Sequence, residues 1–164
     1  MNIGLYFGSF NPIHHGHLII ANYLLQSTDL DQVWLIISPQ NPFKPSQRLL
    51  NEYHRLHLTQ IALEGETRIR ASDIEFKLPK PSYTIDTLTY LGEKYPNHTF
   101  AIIMGSDSYQ NLDKWKNASV IQERYAIYVY ERPGFPVRKD LNTQLTIVDA
   151  PLLQISATKI REMI

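Results

Sequence analysis

The chain has 164 residues, of which 43% are hydrophobic and 20% are charged, and this composition is typical of a single soluble globular domain over residues 1–164. Lysine and arginine together number 16, as do aspartate and glutamate, so no excess of positive charge indicates a nucleic-acid partner. The absence of cysteine excludes disulfides and thiolate metal sites. No apolar segment has the length that spans a membrane, so we expect a cytoplasmic protein without a membrane partner.

Short apolar segments, typical of strands, alternate along the chain with longer segments typical of helices. The predicted strands are Ile3–Phe7, Val33–Ile37, Arg68–Ala71, Phe100–Met104, Tyr125–Tyr130 and Leu145–Val148. The predicted helices are Leu18–Leu25, Glu52–Leu63, Ile85–Lys94 and a shorter one after Asp107. This alternation predicts an α/β fold of the Rossmann-like, doubly wound type, with a mainly parallel sheet and helices on both faces. Ligands of such sheets bind at the carboxyl ends of the strands, so the segments that follow the strands form the candidate site.

The segment from Gly8 to His17 joins the first predicted strand to the first predicted helix. Gly8 and Ser9 let the backbone approach an anion, and the free amides at a helix N-terminus point toward it. The segment lacks both the Gly-Lys-Ser/Thr of a P-loop and the G-x-G-x-x-G of a dinucleotide-binding turn. It therefore predicts a phosphate site of another kind, one rich in histidine.

Two groups of histidines raise the alternative of a metal site. His14, His15 and His17 lie close in sequence, and His54 and His57 are three residues apart on a predicted helix. Neither group has an evident carboxylate or cysteine that would complete a coordination shell. We therefore predict that the protein has no metal site of its own and that His54 and His57 lie on an exposed helix face.

The histidine segment resembles a known signature. His14-x-Gly16-His17 is similar to the H-x-G-H motif of the nucleotidyltransferase superfamily that also contains the class I aminoacyl-tRNA synthetases. The whole block from Gly8 resembles the motif G-[GS]-[TS]-F-[DN]-P-x-H-x-G-H of nicotinate-nucleotide adenylyltransferases. The resemblance implies a fold of the H-x-G-H nucleotidyltransferase type. It also implies that ATP donates its adenylyl group to nicotinate mononucleotide and releases pyrophosphate, a step of NAD biosynthesis. The transfer would be direct and in line, with Mg²⁺ arriving on ATP.

A second motif bears on the substrate. The string from Ser82 to Leu88 resembles the S-Y-T-x-D-T-L motif of the same family, in which backbone amides receive the carboxylate of nicotinate. Taken by themselves, Ser82 or Thr84 would simply cap the helix that begins there. A helix N-terminus favours a carboxylate over a neutral amide. Phosphopantetheine adenylyltransferases lack this string, so it favours nicotinate mononucleotide as the acceptor.

Three further candidates follow later strands. Taken alone, Asp107 could bind a ribose hydroxyl or cap a helix, Trp115 could be a core residue, and Arg132 could be a surface residue. The resemblance implies other roles. The family has a G-[AS]-D motif whose acidic residue lies near the nucleotide, and the stretch from Gly105 matches it. The family also has a tryptophan that stacks on the pyridine ring, and Trp115 matches it. It also has an R-x-G element, which Arg132 begins, while Trp34 lies inside a predicted strand and is interpreted as a core residue.

Two segments carry further basic residues. Lys44, in a proline-rich loop, could be a solvated residue or a phosphate contact. The family has a loop lysine that meets phosphate, although Phe43 stands where many members have histidine. The stretch from Ile155 to Arg161 resembles I-S-[SA]-T-x-[IV]-R, which implies the second half of a triphosphate cradle; by itself it would be a capped helix. Ala157 replaces a commoner serine there, and the chain ends three residues after Arg161, so we expect the family's C-terminal extension to be short or absent.

These matches give three groups of implied site residues. The catalytic group is His14, His17, Lys44 and Arg161. The ATP-binding group is Gly8, Ser9, Phe10, His14, His17, Gly105, Asp107, Ile155, Ser156, Thr158 and Arg161. The group that binds nicotinate mononucleotide is Asn41, Lys44, Ser82, Tyr83, Thr84, Trp115 and Arg132. The open alternatives are an adenylyltransferase for phosphopantetheine or nicotinamide mononucleotide and a nucleotide-binding sensor without turnover; a homo-oligomer is possible.

Overall fold

The structure is a computed structural model, and it describes residues 1–10, 13, 15–39, 51–141 and 143–148. In these residues six strands form one sheet in the order β3-β2-β1-β4-β5-β6, and every neighbouring pair is parallel. The strands are β1 (Asn2–Gly8), β2 (Gln32–Ile37), β3 (Ile69–Ser72), β4 (Thr99–Gly105), β5 (Ala126–Tyr130) and β6 (Gln144–Val148). All six predicted strands are confirmed.

The helices alternate with the strands, as predicted. They are α1 (His15–Ser27), α2 (Glu52–Ala62), α3 (Thr84–Lys94), α4 (Ser106–Tyr109) and α5 (Ala118–Arg124), with short 3₁₀ segments at Ile74–Lys77 and Leu112–Lys114. Helix α1 begins three residues before the predicted start at Leu18 because its first turn is polar and glycine-containing, which hydrophobic periodicity does not detect. In the described part of the chain, no helix has the length and apolar character needed to cross a membrane.

The sheet is covered on both faces, which explains the nearly continuous apolar strands. On one face Ile3, Leu5 and Trp34 belong to a cluster that includes residues of α3, α4 and α5. On the other face Leu35 and Ile103 belong to a cluster that includes residues of α1. Trp34 is only 5% exposed, so its interpretation as a core residue is confirmed.

The direction of the strand order reverses between β1 and β4. From β1 the chain adds β2 and β3 on one side, whereas β4, β5 and β6 extend the other side. In an open parallel sheet the crevice at such a switch point lies outside the carboxyl ends of the strands and is where ligands bind. The fold prediction is thus confirmed. The extent of the domain, residues 1–164, stays a prediction.

Candidate active site

A cavity of about 490 Å³ lies at the carboxyl ends of β1 and β4. Its lining residues come from the ends of β1, β4 and β5 and from the segments that follow them: Tyr6, Phe7, Gly8, Ser9, Phe10, His17, Ile102, Ile103, Met104, Gly105, Asp107, Ser108, Trp115, Tyr130 and Arg132. The cavity therefore occupies the switch point of the sheet, where the fold is expected to bind a ligand.

The structure brings many of the predicted site residues together in this cavity. Those that line it are Gly8, Ser9, Phe10, His17, Gly105, Asp107, Trp115 and Arg132. Ser82, Tyr83 and Thr84 are not part of its lining and lie where α3 begins. The other predicted residues, namely His14, Asn41, Lys44, Ile155, Ser156, Thr158 and Arg161, lie outside the described residues.

A buried arginine anchors the turn that follows β1. The Arg55 side chain comes from α2, is 0% exposed, and donates from Nη1 to the carbonyl oxygens of Ser9 and Ser38 at 2.7 Å each. The amide of Ser38 also donates to the carbonyl oxygen of Gly8 at 3.0 Å. Burial lowers the pKa of Arg55 from its ordinary value. One guanidinium thus joins the first residues that follow β1 and β2.

Sequence patterns did not indicate this role for Arg55. It lies between two histidines, His54 and His57, which are exposed as predicted. Buried arginine is rare, and the sequence gives no sign that the partners are carbonyl groups far away in the chain. In the sequence, Arg55 is a polar residue on a helix, between two histidines that are predicted to be exposed, and nothing there indicates that it is buried.

Phe10 adopts an uncommon backbone conformation in the same turn. Its φ is +48°, in the left-handed region that a residue other than glycine enters at a cost of roughly 1–2 kcal/mol. The Phe10 side chain is 2% exposed, and its ring contacts the rings of Tyr6 and His17 edge to face, at centroid distances of 5.6 and 4.9 Å. Burial of the ring offsets the backbone strain. The ring also packs against the imidazole of His17 and helps to hold it in place.

His17 lies in the first turn of α1 and lines the cavity. The N-terminus of a helix carries partial positive charge, so it favours an anion next to His17. Its neighbour His15 is exposed. Among the residues that the structure describes, no three His, Cys, Asp or Glu side chains converge in a way that could hold a metal ion.

Two tyrosine hydroxyls meet in the cavity, and sequence analysis did not predict this pair. The Tyr6 hydroxyl donates to the Tyr130 hydroxyl at 3.1 Å, joining the carboxyl ends of β1 and β5. Burial raises the pKa of Tyr6 well above its ordinary value and raises that of Tyr130 as well. Both therefore stay neutral near pH 7 and offer hydroxyl groups to a ligand. The available signal was a tyrosine near the carboxyl end of each of two predicted strands.

Asp107 and Arg132 form an ion pair at the cavity. Nη1 of Arg132 lies 3.2 Å from Oδ2 of Asp107, and the backbone amide of Arg132 donates to the Oγ of the buried Ser106 at 2.8 Å. A Cβ on Gly105 would lie 2.7 Å from Oδ1 of Asp107, so a side chain at position 105 would displace the Asp107 carboxylate. Helix α4 has no side-chain cap, so the alternative that Asp107 caps it is wrong. Asp107, which was predicted to bind ATP, thus forms an ion pair with Arg132, which was predicted to bind the acceptor.

Helix α3 begins without a side-chain cap. Tyr83 is the N-cap residue, with an extended backbone, and among the described residues no side chain makes a capping hydrogen bond, so the expectation that Ser82 or Thr84 caps the helix is wrong. An uncapped first turn leaves backbone amides available to a ligand. The Lys116 ammonium lies 4.7 Å from the centroid of the Tyr83 ring. Because Lys116 follows Trp115, this contact brings the cavity wall next to the start of α3.

Comparison with known proteins agrees with this architecture. Residues 5–163 match the cytidylyltransferase-like family. A protein of Cytophaga hutchinsonii named "probable nicotinate-nucleotide adenylyltransferase" is 53% identical over all of this chain and 86% of its own length. One of Flavobacterium johnsoniae with the same name is 50% identical with the same coverage.

Solved structures show the same fold. The nicotinic acid mononucleotide adenylyltransferase of Plasmodium falciparum complexed with NaAD superposes with a TM-score of 0.79 at 21% identity, covering 98% of this chain and 82% of its own. The same enzyme complexed with APC gives a TM-score of 0.77 at 20% identity, with the same coverage of both chains. At such identities the likeness concerns the fold, whereas the family follows from the closer relatives. The chain belongs to the cytidylyltransferase-like family and, within it, to the nicotinate-nucleotide adenylyltransferases.

Proposed function

We propose that this protein transfers the adenylyl group of ATP to nicotinate mononucleotide, giving nicotinate adenine dinucleotide and pyrophosphate, a step of NAD biosynthesis. Membership of the nicotinate-nucleotide adenylyltransferases supports the reaction. The observation that carries the proposal in the structure is the cavity at the switch point, which unites Gly8, Ser9, Phe10 and His17 of the first motif with Asp107 and Trp115. We expect the protein to act in the cytoplasm, since its proposed substrates are charged nucleotides.

The chemistry needs no covalent intermediate. A phosphate oxygen of nicotinate mononucleotide attacks the α-phosphorus of ATP in line, the bond from that phosphorus to the bridging oxygen breaks, and pyrophosphate leaves with the bonding electron pair. The attacking phosphate is already anionic, so no general base is required. The protein contributes by positioning the two substrates and by stabilising charge on the phosphoryl oxygens.

We assign the ATP half of the reaction to the β1–α1 turn and its surroundings. Gly8 and Ser9 would let the triphosphate approach the backbone, and His17 would donate to the α-phosphate as negative charge grows on it. The hydrogen bonds from Arg55 to the carbonyl oxygens of Ser9 and Ser38 support the assignment, because a turn that is held in place needs little reorganisation during the reaction. Asp107 would hold a ribose hydroxyl once its pairing with Arg132 opens.

Further roles belong to residues outside the described ranges, and they remain assignments from the family motifs. His14 would donate to the α-phosphate together with His17. Lys44 and Arg161 would neutralise phosphate charge, while the segment with Ser156 and Thr158 would bind the triphosphate. Mg²⁺ would arrive as part of the ATP substrate.

We assign the acceptor half to the region between Trp115 and the start of α3. Trp115 is half-buried and lines the cavity, so its ring can stack on the pyridine ring of the acceptor. The uncapped first turn of α3, next to Tyr83 and Thr84, would bind the nicotinate carboxylate through backbone amides.

The test is an assay of pyrophosphate release with Mg²⁺-ATP and, in separate reactions, nicotinate mononucleotide, nicotinamide mononucleotide and 4′-phosphopantetheine. We expect release mainly with nicotinate mononucleotide. Release mainly with either other acceptor would keep the chemistry and contradict the proposed substrate. ATP binding without release from any acceptor would contradict the proposed enzyme and favour a nucleotide-binding sensor.

A further inference from the structure

We propose that Lys116 cancels the repulsion that Asp86 exerts on the carboxylate of the acceptor, and so preserves the preference of the acceptor site for a carboxylate over a carboxamide. The inference rests on the proposed function, because it concerns the part of the site assigned to nicotinate. It adds two residues to that site, since neither was among the predicted site residues. Lys116 is the specificity-determining cation, and Asp86 is the anion that it offsets.

The geometry places this pair at the start of α3. Asp86 lies in the first turn of the helix, and its Oδ2 is 3.6 Å from the ammonium of Lys116. The same ammonium lies 4.7 Å from the centroid of the Tyr83 ring, so two contacts on α3 hold it. Lys116 comes directly after Trp115, whose side chain lines the cavity.

The charge of Asp86 conflicts with the proposed ligand. A carboxylate in the first turn stabilises a helix, because it complements the partial positive charge there. The same carboxylate would repel an anionic ligand that binds to those amides. Lys116 offsets the repulsion with a positive charge at close range. The amide form of the acceptor has no net charge on its pyridine substituent, so it is nearly indifferent to both side chains.

The expected effect is modest because both side chains are partly exposed, Lys116 to 49% and Asp86 to 51%. One unit charge acting on another at roughly 7 Å in water changes an equilibrium about threefold. The ratio of kcat/KM for nicotinate mononucleotide to that for nicotinamide mononucleotide isolates this effect. A change in the shape of the site alters both acceptors, whereas a change in charge alters mainly the acid.

The experiment compares the wild type with Lys116→Met, Asp86→Asn and the double variant at low ionic strength. We expect the acid-to-amide ratio to fall about threefold in Lys116→Met, to rise about threefold in Asp86→Asn, and to return close to the wild-type value in the double variant. These changes should shrink in high salt. Lys114→Met, which removes an exposed cation two residues away, is the matched control and should leave the ratio unchanged.

Several outcomes would overturn the inference. One is an equal change for both acceptors in Lys116→Met, which would mean that the side chain only packs against Tyr83. Another is a ratio that high salt does not affect. Titration of each acceptor into the protein, followed by calorimetry, repeats the comparison without turnover. Binding of nicotinate mononucleotide without pyrophosphate release would contradict the proposed function, but the ratio of the two affinities would still test the role of Lys116 and Asp86. Binding of neither acceptor would overturn both the proposed function and the inference.

Discussion

The β1–α1 turn and the start of α3 form the two ends of the proposed site, and they are built differently. The turn after β1 is fixed from within, by the buried guanidinium of Arg55 and by the buried ring of Phe10. The start of α3 has no side-chain cap, and its charged neighbours Asp86 and Lys116 are half-exposed. Buried hydrogen bonds to a charged group are strong and costly to break, whereas exposed ion pairs are weak. At the residues that the structure describes, the phosphate end is therefore held by buried groups, and we call it the rigid end. The charged neighbours of the acceptor end are exposed, and we call it the adjustable end.

The largest effect should come from the rigid end. His17→Ala removes the donor assigned to the α-phosphate, and loss of one such donor lowers turnover about 10²–10³-fold. We expect kcat to fall by this factor while the midpoint of thermal unfolding changes little, since His17 is only partly buried. Pyrophosphate release and circular dichroism measure the two quantities. His15→Ala is the matched control, because His15 is exposed on the same turn; turnover near the wild-type value in His17→Ala would contradict the assigned role.

The second test removes the anchor of the rigid end. Arg55→Met keeps most of the side-chain length but loses the two hydrogen bonds from Nη1 to Ser9 and Ser38. Each hydrogen bond from a charged group contributes about 1.5–3 kcal/mol, so we expect the free energy of unfolding to fall by more than about 2 kcal/mol. The KM for ATP should rise as well, because the turn is no longer fixed.

Urea denaturation and steady-state kinetics check these expectations. Arg70→Met is a suitable control, since Arg70 lies on the edge strand β3 with its guanidinium over the ring of Trp34 and away from the cavity. A stable Arg55→Met protein with an unchanged KM for ATP would show that the turn needs no anchor.

The third test concerns Glu75, a buried carboxyl group that is hydrogen-bonded to the first part of α3. Glu75 is 4% exposed and accepts a hydrogen bond from the Thr87 hydroxyl at 2.6 Å, one turn into α3. Burial raises the pKa of Glu75 above its ordinary value of 4.5, and the hydrogen bond from Thr87 opposes the increase. The folded state thus binds this proton more tightly than the unfolded state, and stability falls as the pH rises from 4.5 through the folded pKa.

Glu75→Gln should remove this pH dependence. We expect the stability difference in favour of the variant to grow with pH above 4.5, by about 1.4 kcal/mol for each unit by which burial raises the pKa. Unfolding curves at a series of pH values measure it. Glu123→Gln serves as the control, because Glu123 is an exposed residue on α5. A parallel pH profile for Glu75→Gln and wild type would contradict the expectation.

The smallest effect should come from the exposed pair at the cavity. Arg132→Met frees Asp107, and a pair of this exposure contributes about 1 kcal/mol or less to stability. If Asp107 holds the ribose of ATP, its release from Arg132 should lower the KM for ATP while the stability stays nearly constant. Steady-state kinetics and thermal unfolding separate the two quantities. An increase in the KM for ATP would instead indicate that Arg132 holds Asp107 in its binding position.

The sequence predicted the parts of this molecule that depend on local patterns. Apolar periodicity located the strands and the main helices, and the H-x-G-H resemblance located the β1–α1 turn, because each depends on neighbouring residues. The contacts of Arg55 with Ser9 and of Tyr6 with Tyr130 join residues 46 and 124 positions apart, and no local pattern records them. The N-cap of α3 was assigned wrongly because cap propensity favours serine and threonine, while the backbone there makes Tyr83 the cap.

The two tryptophans of the chain differ in their surroundings, and this difference gives the protein an internal optical probe. Trp34 is enclosed by the rings of Tyr95 and Phe100, so its emission should depend on folding alone. Trp115 borders the cavity, so a stacked pyridine ring should quench its fluorescence. A Trp34→Phe variant would leave Trp115 as the sole indole emitter, and its intensity would then follow acceptor occupancy in real time without any added label.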